Sequence, residues 1–240
     1  MKFNVIIVAA IVFLAGCAQG PQQKTVSAEQ NSSPADLVEK GYQSLTHGSP
    51  KQAIESFDAA ISHCQKLYPK GKKRVYASRG AAESLSYMIT AAVTEQDAIA
   101  VDSSCSDALY FRGYTALDFG DIELAQDYIQ QAVDMAPSNS LYLSELGHIH
   151  QTKQQWAEAL RMFKKSEEAA ESFSPEGVKN RELARAKRGI SFNLIELGKF
   201  DEAESKLKEC IVLDANDKGA LNELQYLQKL RQESAGAKNK

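Results

Sequence analysis

The sequence is poor in the features on which catalytic sites depend. No serine lies in a G-x-S-x-G turn, no glycine-rich loop could cradle a phosphate, and no carboxylate pair is placed as in a catalytic cleft. Of the four histidines, His148 and His150 are two residues apart. On a helix this spacing directs the two rings about 200° apart, so they cannot share a metal ion. We therefore predict that the protein is not an enzyme and has no metal or cofactor.

An excess of charge of one sign is also absent. The formal net charge is −3, with 28 Lys and Arg against 31 Asp and Glu. Without a basic stripe, this balance argues against a nucleic-acid partner. The densest basic cluster is the run GKKR at residues 71–74. We interpret it as a solvated loop, and a contact for lipid headgroups or an anionic glycan is the alternative.

The one long apolar run lies at the start of the chain. Residues 3–15 follow Lys2 and are almost entirely apolar, which is typical of a signal peptide and too short for a permanent transmembrane helix. The run ends in the tetrapeptide LAGC at residues 14–17. This tetrapeptide resembles the lipobox of bacterial lipoproteins. The resemblance implies that residues 1–16 are removed and that Cys17 becomes the lipidated first residue.

The lipobox resemblance also implies a location. Ala18 rather than aspartate after the cysteine implies sorting to the outer membrane, with the protein facing the periplasm. Three acyl chains, at about 0.8 kcal/mol per buried CH2, would make this anchor effectively irreversible. Residues 18–33 contain almost nothing apolar and are predicted to be a flexible tether. Residues 17–33 thus form a lipidated cysteine followed by its tether, and we expect the membrane contact to be through the lipid only.

The rest of the chain is organised around residues 107–137. Apolar residues recur there at helical spacing in two segments, separated by Phe119, Gly120 and Asp121. Glycine can leave the right-handed conformation, and aspartate can cap a new helix. The stretch is therefore predicted to be a hairpin of two amphipathic helices, which ends at Pro137.

Copies of this pattern lie on both sides of the hairpin. Gly147 follows Gly113 after 34 residues, and a small residue recurs within each second helix. These small residues are Ala53, Ala91, Ala125, Ala159 and Ala203. The pattern resembles the tetratricopeptide repeat, whose period is about 34 residues. The copy that begins near Arg74 is degenerate.

The resemblance implies an all-α fold. We expect a right-handed superhelical solenoid of about five helix hairpins over residues 34–232, without β-strands. Residues 217–232 carry leucines at three-residue steps and are predicted to be the C-terminal capping helix that a solenoid needs. Residues 233–240 are predicted to be a polar tail.

In the tetratricopeptide family the first helices line a concave groove that holds a peptide segment or a partner helix. The side chains expected to face such a groove here are Tyr42, Tyr110, Tyr114, Leu117, His148 and Phe192. Tyrosine offers a large rigid surface with a polar tip, which suits a wet groove. Alternatively, these aromatic residues pack against the neighbouring first helix. The family's carboxylate clamp is not expected, because Tyr42 and Tyr114 occupy positions where it needs asparagine.

These features predict a scaffold that binds an envelope protein or peptide at the inner face of the outer membrane. Two more specific roles are alternatives. One is a pilotin-like lipoprotein that delivers a secretin of a pilus or secretion system, and the other is an adaptor for peptidoglycan hydrolases.

Three further cysteines remain in the mature chain. Cys210 occupies the small-residue position of the last repeat and is predicted to be a buried structural thiol. Cys64 and Cys105 lie near the ends of helices in adjacent repeats. An oxidising periplasm permits a disulfide between them. Adjacent helices, however, lie about 8–10 Å apart, whereas the Cα atoms of a disulfide lie about 4.4–6.8 Å apart. The sequence leaves both alternatives open.

Overall fold

The computed structural model describes residues 32–71 and 73–238, with side chains described to residue 233. From Ser32 onward the chain forms one compact unit. The described residues form ten helices and two strands. In chain order they are α1 (Pro34–Thr46), α2 (Pro50–Leu67), β1 (Arg74–Ser78), α3 (Ala81–Val93), β2 (Ala98–Asp102), α4 (Ser104–Asp118), α5 (Ile122–Met135), α6 (Ser140–Thr152), α7 (Trp156–Phe173), α8 (Glu176–Glu196), α9 (Phe200–Leu213) and α10 (Lys218–Lys238).

Four antiparallel hairpins make up most of the fold. They are α1 with α2, α4 with α5, α6 with α7, and α8 with α9, and α10 packs on α9 and α8. This arrangement confirms the predicted all-α tetratricopeptide solenoid. Among the described residues, no helix is long and apolar enough to cross a bilayer.

Local sequence signals explain where the hairpins begin and turn. Ser33 caps α1, because its Oγ accepts a hydrogen bond from the Asp36 amide at 3.2 Å and the Asp36 carboxylate accepts one from the Ser33 amide at 3.0 Å. Gly48 and Gly120 end the first helices of two hairpins with φ of +72° and +77°. A side chain is disfavoured at such φ values, so glycine makes these turns at little cost.

Small residues let the two helices of a hairpin approach closely. Ala125 is fully buried at the α4–α5 contact. A Cβ atom on Gly113 would lie 2.6 Å from Ile129 Cγ1 and 3.1 Å from the carbonyl oxygen of Ala125. The backbones therefore pack where a larger side chain would separate them.

The degenerate repeat is not a helix hairpin. The strands β1 and β2 pair in parallel, with Arg74 opposite Ala98 and Ser78 opposite Asp102, and α3 connects them. The prediction of a fifth hairpin near Arg74, and of a chain without strands, was wrong for this segment. Parallel strands need a crossover connection, and the single helix α3 provides it. The segment therefore has one helix between two strands, where a repeat has a pair of helices.

This β1–α3–β2 insertion is attached to the neighbouring repeats by specific contacts. The Tyr87 hydroxyl accepts a hydrogen bond from the Ser138 amide at 2.9 Å, and its ring stacks on Tyr76 with centroids 4.9 Å apart. Arg79 donates to the Glu182 carboxylate at 2.7 Å. The insertion is therefore held against the loop before α6 and the start of α8. The opposite side of α3 leaves three aliphatic side chains exposed, which are Leu85, Ile89 and Val93.

A disulfide joins Cys64 in α2 to Cys105 in α4, with a Cα–Cα distance of 5.8 Å. An axis separation of about 8–10 Å between neighbouring helices is compatible with this short Cα–Cα distance. A Cα atom lies about 2.3 Å from its helix axis, so two Cα atoms that face each other are about 4–5 Å closer than the axes. The closed loop contains the whole insertion. Cys210 is a free buried thiol, and burial raises its pKa to about 12.

The capping helix α10 is longer than predicted. It continues to Lys238, beyond the expected end at residue 232. Ala220 and Leu227 are fully buried against α9 and α8, in a cluster that includes Leu194 and Leu207. The helix thereby covers the apolar side of the last hairpin, which is the role of a solenoid cap.

Candidate partner-binding site

Tyr110 does not lie on an accessible face. It is 5% exposed, and its ring stacks on that of Tyr142 in the next first helix, with centroids 5.0 Å apart. Burial also raises the pKa of the Tyr110 hydroxyl. The structure therefore places this tyrosine in the core. This agrees with the alternative prediction that the aromatic residues pack against the neighbouring first helix. We leave Tyr110 out of the candidate contact surface.

Two other tyrosines on first helices are accessible. Tyr42 on α1 is 47% exposed, and Tyr114 on α4 is 40% exposed. Phe111 lies beside Tyr42, with ring centroids 5.5 Å apart. Leu117 is partly buried and packs against the central core. Tyr42 and Tyr114 thus remain free to contact a partner, whereas Leu117 mainly supports α4.

The structure brings His148 and Phe192 together in one cavity of about 550 Å³, which we call the α6–α8 pocket. Its lining comes from α6, α7, α8 and α10. The lining residues are Ser144, His148, Gln151, Thr152, Trp156, Phe163, Arg185, Arg188, Gly189, Phe192 and Glu223.

One side of the pocket is aromatic. The ring centroids of Trp156 and Phe192 lie 6.0 Å apart, and the two ring planes are tilted by 60° to each other. Phe163 forms part of the lining beside Gly189, where an added Cβ atom would overlap the Phe163 ring. The missing side chain at Gly189 therefore lets α8 pack directly on Phe163, and the aromatic surface stays continuous.

The other side of the pocket is polar. Arg185 pairs with the buried carboxylate of Glu145, and Arg188 pairs with Asp217. The two arginine side chains remain 38% and 30% exposed. His148 Nδ1 lies 3.2 Å from Gln151 Oε1. Both arginine side chains thus keep accessible surface although each guanidinium group has an anionic partner.

Glu223 of α10 is the exception among the ionisable groups of the lining. Its Oε2 atom is buried and has no hydrogen-bond partner among the described residues. Burial raises the pKa of Glu223 to about 7, with Arg188 opposing the shift and Asp217 adding to it. The carboxyl group is therefore close to half ionised at neutral pH.

A second cavity of about 290 Å³ adjoins the same helix and shares Arg185 and Arg188 with the first. Arg181 also lines it. These three arginines are spaced i, i+4 and i+7, so they lie along one face of α8. In the part of the chain that the structure describes, no group of histidine, cysteine and carboxylate side chains could hold a metal ion.

Sequence reasoning found part of the pocket. It placed His148, Arg188 and Phe192 on the groove face, but it did not identify Trp156, Arg185 or Glu223 as lining residues. The i, i+4, i+7 arginine spacing was visible in the sequence and could have indicated a polar face. Glu223 carried no such signal, because its place in the pocket depends on how α10 packs on α8.

Comparison with known proteins supports the repeat and the fold. Residues 106–139 match the family model described as tetratricopeptide repeat. The chain is similar to a solved structure titled as the functional characterization of pilF from Pseudomonas aeruginosa, with 14% identity, a TM-score of 0.57, and 86% of this chain and 72% of that one covered. It is also similar to residues 41 to the end of MamA from Desulfovibrio magneticus RS-1, with 14% identity, a TM-score of 0.56, and 87% and 91% covered.

No curated protein sequence matches this chain significantly. At 14% identity, the two structural similarities show a shared fold only. The chain thus contains a tetratricopeptide repeat, which covers most of α4 and all of α5, within a solenoid of repeat-type hairpins.

Proposed function

We propose that this protein is a non-enzymatic scaffold, lipid-anchored at the outer membrane and facing the periplasm, which holds a segment of a partner protein in the α6–α8 pocket. The observation that carries the proposal is the composition of this pocket. It combines an aromatic pair with polar side chains that keep accessible surface. Such a combination binds an apolar group and fixes its orientation through hydrogen bonds.

The size of the pocket suits part of a peptide. Ligand sites commonly occupy about 300–1,000 Å³, and the cavity of about 550 Å³ lies within this range. Trp156 and the two arginines belong to the residue types that dominate binding energy at protein interfaces. Tyr42 and Tyr114 provide further accessible aromatic surface on the first helices of earlier hairpins.

Site-specific crosslinking tests the pocket in the native envelope. A photoreactive amino acid at His148, which is exposed at the pocket, should yield a defined crosslinked partner. The same residue placed at Glu168, which is exposed on α7 away from the pocket lining, is the control. Partner capture that is equal at both positions would contradict the proposal.

Truncation of the aromatic pair tests its contribution. Phe192→Ala should reduce recovery of that partner at least tenfold, equivalent to about 1.4 kcal/mol. The reason is that the apolar group of the partner loses one of the two aromatic rings that it contacts. Tyr226→Ala removes an exposed aromatic side chain that does not line the pocket and should leave recovery unchanged. Circular dichroism of both variants checks that the helices are retained.

The proposed anchor is Cys17, which lies outside the residues that the structure describes. Cys17→Ser should abolish incorporation of a fatty-acid analogue and leave the precursor uncleaved, because the lipidated thiol is absent. The solenoid should still fold, since none of its described contacts involves this residue. Continued labelling of the Cys17→Ser protein would show that the lipid is attached at another residue.

Gene deletion separates the two more specific forms of the proposal. Failure of a secretin to assemble would identify a pilotin-like role. Loss of regulated septal hydrolysis would identify an adaptor for peptidoglycan hydrolases.

A further inference from the structure

One ionisable side chain that lines the α6–α8 pocket, Glu223, has an oxygen atom without a hydrogen-bond partner in the described part of the chain. Arg185 and Arg188 have Glu145 and Asp217 as partners, and His148 has Gln151. Oε2 of Glu223, in contrast, is buried and has no hydrogen-bond partner among the described residues. The pocket therefore lacks a hydrogen-bond donor at Glu223.

An unpaired buried carboxylate is costly, and a cation is its best complement. Removing such a group from water without compensation favours its neutral form, which agrees with the raised pKa of Glu223. A cationic donor brought into the pocket would restore the charged form through a charge-assisted hydrogen bond. Arg188 is paired with Asp217 and does not form a hydrogen bond with Oε2 of Glu223.

We propose that the α6–α8 pocket receives the side chain of a lysine or arginine from the partner segment, with its charged end at Glu223 and its aliphatic stem against Trp156 and Phe192. This inference rests on the proposed function, since it names the chemistry of the segment that the pocket holds.

The aromatic side of the pocket suits such a side chain in two ways. The stems of lysine and arginine are apolar and bury well against aromatic rings. A cation near the face of tryptophan gains a further attraction from the ring quadrupole, and tryptophan is the most favourable residue for this contact. A purely aliphatic side chain would fill the same space and leave Glu223 unpaired.

Several charged and titratable groups surround Glu223. Arg188 on α8 and Asp217 before α10 act on its carboxyl group, and Cys210 on α9 interacts with it. His148 on α6 and Arg185 on α8 line the same pocket. The two arginines are offset by their own carboxylate partners. The Cys210 thiol stays neutral, because burial raises its pKa to about 12. His148 is the remaining titratable group of the lining, and the test below therefore replaces it.

Trp156 makes the test direct, because it is the single tryptophan of the chain and lines the pocket. Its fluorescence in the purified mature protein is titrated with three capped tripeptides, Gly-Lys-Gly, Gly-norleucine-Gly and Gly-Glu-Gly. At pH 8 the lysine peptide should bind at least fivefold more tightly than the norleucine peptide, which has a similar aliphatic stem without the charge. The glutamate peptide should bind most weakly.

The pH dependence provides the second readout. With a pKa of about 7, Glu223 is about nine-tenths ionised at pH 8 and about one-tenth ionised at pH 6, so affinity for the lysine peptide should fall by up to about tenfold. The measurement is made in a His148→Gln background to remove the histidine contribution. Glu223→Gln should abolish both the lysine preference and the pH dependence. The exposed control Glu168→Gln should change neither.

Three results would overturn the inference. They are equal binding of the lysine and norleucine peptides, preferential binding of the glutamate peptide, and no fluorescence response to the lysine peptide. The proposed function is judged separately by crosslinking at His148. If the pocket captures a partner but shows no preference for lysine, the proposed scaffold function is supported and the inference of a bound lysine or arginine side chain is contradicted.

Discussion

Replacing both Cys64 and Cys105 by alanine is expected to lower the free energy of unfolding by about 4 kcal/mol. The disulfide joins residues 41 positions apart, and in the chain-entropy account a crosslink stabilises by restricting the unfolded chain. The effect should appear as a lower urea midpoint for the double variant than for the oxidised parent protein.

Reduction provides the matched control. A reductant should destabilise the parent protein by a similar amount and leave the double variant unchanged, because the remaining Cys210 forms no disulfide. The insertion should become the part most easily cleaved by a protease, since it lies entirely inside the released loop. Equal urea midpoints for the oxidised and reduced parent would show that the bridge does not stabilise the fold.

Glu223→Gln is expected to remove a marked pH dependence of stability. The folded-state pKa of about 7 is raised from 4.5, so the contribution of Glu223 is fully present below pH 4.5 and is lost as the pH rises through 7. From pH 5 to pH 8 the parent protein should lose about 2 to 3 kcal/mol through this group. The glutamine variant does not ionise and should lack this loss.

Urea unfolding of both proteins at several pH values measures the difference. Other titrating groups contribute equally to the two proteins and cancel in the comparison. Glu168→Gln, an exposed change on α7, should follow the parent protein at every pH. Parallel stability curves for the parent and the Glu223→Gln variant would mean that the Glu223 carboxyl group is adequately solvated in the folded protein.

The solenoid was predictable because its signals are local. Glycines at the turns and small residues at the helix contacts lie within a few positions of the helices that they shape. Gly113 and Ala125, for example, belong to two consecutive helices and meet inside one hairpin. Each repeat therefore carries most of its own folding information, and several copies reinforce the pattern.

The insertion was not predictable from the same pattern. Ala91 matched the small-residue position of a repeat, although it packs beside Tyr76 and Tyr87 within β1–α3–β2. Short apolar segments are ambiguous between helix and strand in periodicity alone. The pairing of Arg74 with Ala98 joins residues on either side of a helix, and it depends on how the segment folds back on itself.

The sequence by itself determined the helical repeats, because periodicity, turn glycines and small contact residues act over short distances along the chain. It also placed His148 and Phe192 on first helices. Only the tertiary structure decided that Tyr110 is covered by Tyr142, that Cys64 meets Cys105, and that Glu223 enters the pocket beside Arg188. Each of these contacts joins separate elements, and burial and charge at such contacts depend on how helices pack across repeats, which spacing along the chain does not specify.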